Sequence, residues 1–208
     1  MSLQLEQVTI GVHGRTLIRD LSALIEPGQV LAVMGPSGSG KSSLLAWAAG
    51  TLEPPFEATG SLRLDGQDLS SIPIQQRRIG LLFQDDLLFP HQSVLGNLLF
   101  ALPAGDRAAR VSAAERALEE AGLAGFGPRA PASLSGGQRA RVSLLRALLA
   151  APCALLLDEP FSKLDAVLRE QMREFTFTTL RARRVPALLV THDAADVPRG
   201  AQVVKLDA

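Results

Sequence analysis

The sequence predicts an α/β fold with a mainly parallel sheet, an N-terminal antiparallel β portion and a helical insert. Three observations carry that expectation. Short continuous apolar runs recur at Val30–Met34, Ile79–Phe83, Ala154–Leu157 and Ala187–Val190, the pattern of strands covered on both faces. Alternating apolar residues separated by turns fill the stretch before the first run. From about Asp86 to Ala150 helical spacing takes over.

Leu3, Leu5, Val8 and Ile10 alternate as one strand, and residues 17–25 supply a second. Pro27-Gly28 turns the chain into the buried run Val30–Met34. A glycine-rich loop follows, then a helix from Lys41 to about Ala49. Leu62 and Leu64 alternate ahead of Asp65-Gly66, a strong hairpin signal. Inside the insert, residues 113–121 and 139–149 keep helical spacing, while Pro90, Pro103 and Gly125-Phe126-Gly127-Pro128 punctuate it. A helix over about 166–183 joins the last two apolar runs. The expected organisation is one domain, 1–208, with a core of 1–85 and 151–208 and a helical subdomain of about 86–150.

The 21 Lys and Arg balance the 21 Asp and Glu. Nucleic-acid binders are usually basic, so no nucleic-acid partner is expected. The one cysteine, Cys153, lies in an apolar run and reads as a small buried hydrophobe. The N-terminus has no basic stretch followed by an apolar one, so no signal peptide is expected. The longest apolar run, 147–157, is shorter than the roughly 20 residues a bilayer span needs, and Pro152 interrupts it. A membrane role would therefore act through a partner.

Gly35-Pro36-Ser37-Gly38-Ser39-Gly40-Lys41-Ser42 fits the phosphate-binding pattern Gly-x4-Gly-Lys-Ser in full, with a strand before it and a helix after it. Its glycines let the backbone turn tightly and aim several N–H groups inward as an anion nest. The helix that follows presents its positive N-terminal end to the same anion. Lys41 should reach the β- and γ-phosphates, and the Ser42 hydroxyl should coordinate Mg²⁺. A glycine-rich turn that binds nothing is the bland alternative, and Lys-Ser after a buried strand weighs against it. This motif alone specifies a P-loop nucleoside triphosphatase core.

Residues 154–157 form an apolar strand that ends in Asp158-Glu159-Pro160. Ligand sites lie at the carboxyl ends of such strands. Asp158 would bind Mg²⁺, directly or through water, and Glu159 would polarise an attacking water. Successive strand residues point opposite ways, so adjacent acids can take separate roles. Further back, Leu134-Ser135-Gly136-Gly137-Gln138 opens the helix that follows, with Ser135 as a good cap. Small residues at a helix mouth make a second anion-binding tip. As lone signals, both motifs compete with ordinary loops.

Their order decides between these readings. The P-loop at 35–42, Gln84 after a strand, Leu134–Gln138, Asp158-Glu159, Ser162-Lys163-Leu164-Asp165 and His192 after the strand ending at Thr191 together resemble an ABC transporter ATP-binding subunit across nearly the whole chain. The resemblance implies ATP and Mg²⁺ as cofactors. It implies nucleotide contacts from Gly35, Pro36, Ser37, Gly38, Ser39, Gly40, Lys41, Ser42 and Ser43. It makes Gln84 the residue that senses Mg²⁺ and the membrane partner, puts Asp165 in a loop crossing between subunits, and has His192 contact the γ-phosphate and help orient the water. In this family two copies pair head to tail. The signature Ser135, Gly136, Gly137 and Gln138 of one copy closes over the P-loop nucleotide of the other. Taken alone, Gln84 would be a solvated loop residue and His192 a structural histidine.

The stretches 83–91 and 158–165 are similar to the importer branch, in groups that move thiamine, ferric iron, sulfate or polyamines. The resemblance implies permease subunits, a solute-binding protein, and a peripheral place on the cytoplasmic face of the cell membrane. A permease helix would dock near 84–90. Phe89 and Phe100 are candidates for that groove, with core packing the expected role of Phe100. Two departures stand out. The family stacks adenine on an aromatic residue where this chain has Val12, next to His13, and the chain has no tyrosine. Stacking should be weakened and base selectivity loose. The chain also ends 16 residues (208 minus 192) beyond His192, so no regulatory domain is expected after the core. The rivals are an export ATPase, a regulatory protein with two cassettes, and a DNA-associated ATPase. The last inserts a long coiled coil or zinc module, whereas here the gap of 94 residues (135 minus 41) shows no sustained heptads and no cysteine pairs.

Overall fold

The computed structural model describes residues 1–207. The chain runs β1 (Leu3–Val12), β2 (Arg15–Ile25), β3 (Val30–Met34), α1 (Lys41–Ala49), β4 (Phe56–Leu64), β5 (Gln67–Asp68) and β6 (Ile79–Leu82). It continues with α2 (Val94–Ala101), α3 (Arg107–Glu120), α4 (Gly136–Leu149), β7 (Ala154–Asp158), α5 (Ala166–Arg183), β8 (Ala187–Thr191) and β9 (Gln202–Lys205). Two compact units result. The first comprises 1–81, 153–159 and 177–208, and the second 82–152 and 160–176.

The first unit holds two sheets. β1 pairs antiparallel with β2 and with β4, giving the order β2-β1-β4-β5. Its alternation is met in the structure: Leu3, Leu5, Val8 and Ile10 are buried. Gly60 (φ 99°) sits where β4 crosses a register shift in β1, and a Cβ there would lie 2.6 Å from the Glu6 carbonyl oxygen, so only glycine fits. The other sheet is five-stranded, in the order β6-β7-β8-β3-β9. β3 runs parallel to β8 and β9, and β7 parallel to β8. The apolar runs that predicted β3, β7 and β8 are almost wholly buried, as central parallel strands require. α1 packs on β7 and β8 and shares one core with the antiparallel sheet, including Leu5, Ile10, Leu44, Leu45, Leu156 and Val190. Each such side chain contributes about 1.5–3 kcal/mol by leaving water.

The second unit is helical. α2, α3 and α4 pack on one another around Val94, Leu98, Leu118, Val142 and Leu145. Ser93 caps α2 through the Gly96 amide, and Asp106 caps α3 through the Ala109 amide. Asn97 is fully buried and fully used. Its Oδ1 accepts from the Phe89 amide at 2.8 Å, and its Nδ2 donates to the Phe89 and Ser93 carbonyls at 3.2 and 3.0 Å. This pins the loop ahead of α2 from inside.

Candidate functional site

β3 and β7 are the two neighbours of β8, all three in parallel. The register sets Met34 opposite Thr191 and Asp158 opposite Val190. Their carboxyl ends are therefore level, and the P-loop, Glu159 and His192 leave the sheet at one place. Open α/β sheets bind ligands there.

In the P-loop, Gly38 and Gly40 adopt left-handed conformations, φ 83° and 97°. Gly40 is the N-cap of α1 and provides no side-chain cap bond. Its hydrogen also fits against Leu17, whose Cβ would stand 2.9 Å from a Cβ at this position. The first-turn amides thus receive no side-chain acceptor, which suits an external anion. Lys41 is nearly buried, and its Nζ donates to the Gly35 and Pro36 carbonyls at 2.8 and 2.7 Å. The ammonium is held back over its own loop. Ser39 Oγ is buried with no hydrogen-bond partner. Ser37, Ser42 and Ser43 line a cleft of about 410 Å³ together with Gly38, Gly40 and Lys41. Val12, Arg15, Leu17 and Phe56, all from the antiparallel sheet, complete it with Glu159.

Asp158 is half-buried. Burial pushes its carboxyl above the ordinary aspartate value, the negative Glu159 beside it pushes the same way, and the Lys41 ammonium opposes both. Such a carboxylate gains from a cation. Among the described residues no group of three or more His, Cys, Asp or Glu could hold a metal ion. Ser42 and Asp158 supply two oxygen donors, which fits Mg²⁺ arriving with phosphate and water as its other ligands. Glu159 has φ 43°, a sparsely populated region for a residue with a side chain, and its amide donates to the Val190 carbonyl at 3.0 Å. Its Oε1 lies 3.1 Å from His192 Nδ1. Behind His192, Thr191 Oγ1 donates to the buried Asp196 at 3.0 Å and accepts from the Asp193 amide at 3.1 Å. That fixes the turn carrying the histidine.

The structure brings Gly35–Ser43, Asp158, Glu159, His192 and Val12 into the first unit, and Gln84, Ser135–Gln138 and Asp165 belong to the second. In the second unit Ser135 caps α4 with a full capping box. Its Oγ accepts from the Gln138 amide at 3.3 Å, and Gln138 Oε1 accepts from the Ser135 amide at 2.9 Å. A Cβ on Gly137 would run into the Leu168 side chain. Asp165 Oδ1 accepts from the Leu168 amide at 3.0 Å and so caps α5. Gln84 lines a cavity of about 540 Å³ with Leu87, Pro90, Arg139, Pro160 and Lys163.

Three findings go beyond the motifs. The segment after Gln84 is tied to the signature helix. Arg139 pairs with Asp86 at 3.2 Å, Ser143 Oγ donates to the Asp86 carbonyl at 2.8 Å, and Arg146 donates to the Leu87 carbonyl at 2.8 Å. Lys163 pairs with Asp85. Burial pushes the Asp86 carboxyl up, against the pull of Arg139. Second, Phe56 lines the P-loop cleft. Third, Phe100 is 73% exposed rather than packed in the core. α2 has only eight residues and turns Val94, Asn97 and Leu98 inward, so Phe100 lies on its outer side, edge-on to Phe89 with ring centroids 4.8 Å apart. No helix among the described residues is long and apolar enough to cross a membrane.

A phosphate nest after an inner strand, with two acids at the end of the strand two places away in the same parallel sheet, defines a P-loop nucleoside triphosphatase. The sequence profile of the ABC transporter family matches residues 18–162. YnjD of Escherichia coli K12, described as an uncharacterized ABC transporter ATP-binding protein, is 47% identical over 98% of this chain and 94% of its own length. The taurine import ATP-binding protein TauB of Pseudomonas fluorescens is 44% identical over 92% of this chain and 72% of its own. The Fe(3+) ions import ATP-binding protein FbpC of Agrobacterium fabrum is 43% identical over 86% of this chain and 50% of its own. The chain belongs to the ABC transporter family, as an ATP-hydrolysing subunit.

Proposed function

We propose that this chain binds ATP with Mg²⁺ and hydrolyses it as one half of a head-to-tail dimer, driving uptake of a solute through permease subunits. The observation that carries the reading is the convergence of an uncapped helix tip, the buried Lys41, Asp158 and the Glu159–His192 pair at the ends of three adjacent parallel strands. Gly35–Ser43 hold the phosphates by backbone amides, and Lys41 leaves its own carbonyls for the β- and γ-phosphates. Ser42 and Asp158 would hold Mg²⁺, and Gln84 is the further residue we assign to it. When bound, Mg²⁺ neutralises developing phosphate charge. Glu159 orients and polarises the attacking water. His192, within hydrogen-bond reach of that carboxylate, positions it and meets the γ-phosphate.

Ser135, Gly136, Gly137 and Gln138 of a second copy close over the nucleotide, with Asp165 in the crossing loop. This places the γ-phosphate between two helix tips, which is positioning plus electrostatic stabilisation. Relatives named for import of taurine and ferric ions support the direction of transport and the partners, permease subunits and a solute-binding protein. A peripheral site on the cytoplasmic face of the membrane, held through the permease, follows from those partners. The segment 84–90 and the cavity beside it are the docking place for the permease.

The test is Glu159→Gln. Hydrolysis should fall by roughly 10²–10⁴-fold, the usual contribution of a positioned base. ATP binding should survive, and gel filtration with ATP should show a stable dimer. A variant that stays monomeric in saturating ATP would remove Glu159 from this role.

A further inference from the structure

The P-loop side of the cleft accounts for phosphates and leaves open what meets the rest of the nucleotide. Across the antiparallel sheet, Val12 pairs with Arg15 of β2 on one side and with Phe56 of β4 on the other. Directly paired residues share a face with Cβ atoms about 4.5–5.5 Å apart. Arg15, Val12 and Phe56 thus form one row, and all three line the P-loop cleft. Of the residues lining that cleft, Phe56 alone carries an aromatic ring. The chain has no tyrosine, and its one tryptophan, Trp47, packs against the core on α1.

We propose that Phe56 is the platform on which the nucleobase stacks, seating the base over Val12 with the Arg15 guanidinium at the far end of the row. The proposal rests on the P-loop reading and adds a residue to it. The aromatic face that position 12 lacks is supplied from the neighbouring strand. Stacking reads the face of a base and none of its hydrogen-bonding edge, so purine triphosphates of either kind are accepted. The substrate class is a nucleoside triphosphate whose base is held by its face, adenine and guanine alike.

The experiment compares binding of ATP, GTP and inorganic tripolyphosphate, each with Mg²⁺, to the unchanged chain and to Phe56→Ala, Phe56→Leu and Phe56→Trp. Phe56 also packs partly against the core, and Phe56→Leu keeps apolar bulk while removing the ring. Phe56→Ala and Phe56→Leu should weaken ATP and GTP by roughly 5- to 100-fold and leave tripolyphosphate unchanged. Phe56→Trp should keep nucleotide affinity, with its fluorescence changing on ATP beyond any change from Trp47. Unaltered ATP affinity in both the alanine and leucine variants overturns the proposal, as does an equal loss of ATP and tripolyphosphate. Failure of the unchanged chain to bind tripolyphosphate would instead bring down the P-loop reading itself.

Discussion

Helices α1 and α4 both begin at a glycine-rich stretch, and their first turns are finished in opposite ways. At α1 the N-cap is Gly40, with no side chain to accept from the following amides. At α4 Ser135 and Gln138 accept from each other's amides in a closed capping box. A glycine N-cap forgoes only about a few tenths of a kcal/mol relative to serine, and the amides it leaves open are there for an anion to take. The P-loop helix is therefore built around a ligand. The signature helix is complete in itself and has the Gly136 and Gly137 amides to spare. In the proposed dimer the first tip captures the triphosphate, and the second is added to an anion already in place.

The contrast breaks most severely at Lys41. Lys41→Ala removes the cation held by the Gly35 and Pro36 carbonyls, and ATP binding measured by calorimetry should weaken at least about 100-fold, with hydrolysis lost alongside. Ser135→Ala should act in the other direction. It opens the capping box and costs about 1 kcal/mol of stability, seen as a melting temperature lower by roughly 2–4 °C. ATP affinity of the single chain should stay within about 2-fold, because α4 takes no part in capture. A large loss of ATP affinity with no thermal effect would reverse the comparison.

The smallest effect concerns the acid tied to α4. Burial holds the Asp86 carboxyl above the ordinary aspartate value, so the folded chain binds that proton more tightly than the unfolded chain. The contribution of Asp86 to stability then falls as pH rises from the ordinary value through the raised one, and is constant above it. Asp86→Asn removes that slope. Urea midpoints of the two chains, compared from about pH 4 to about pH 7, should show the unchanged chain losing ground to the variant as pH rises. A difference that stays flat would mean that the Arg139 pair offsets the burial.

Much of this was legible in local sequence. Four strands of the five-stranded sheet are short apolar runs, α1 and α5 keep their expected bounds, and α4 starts at the Ser135 cap. What escaped is non-local or too short for a period to show. α2 is eight residues, apolar nearly all round, so its spacing points nowhere. β9 is a four-residue edge strand with three exposed positions. β4 starts at Phe56, six residues before the alternation at Leu62 begins, because Glu57, Thr59 and Gly60 are exposed polar or small positions held by pairing with β1. That pairing sets Phe56 against Val12 across 44 residues (56 minus 12) of chain. No spacing rule finds it, and a search for the base platform at position 12 alone meets only a valine. Asp86 escaped for a like reason, since its partners Arg139, Ser143 and Arg146 lie a helix away in sequence.

The central claim is that hydrolysis belongs to a pair of chains. It is tested most directly by ATP turnover per chain over a dilution series, with light scattering reporting mass on the same samples. Turnover per chain should fall toward zero as the dimer gives way to monomer. Constant turnover per chain on samples that scatter as monomer would contradict the account.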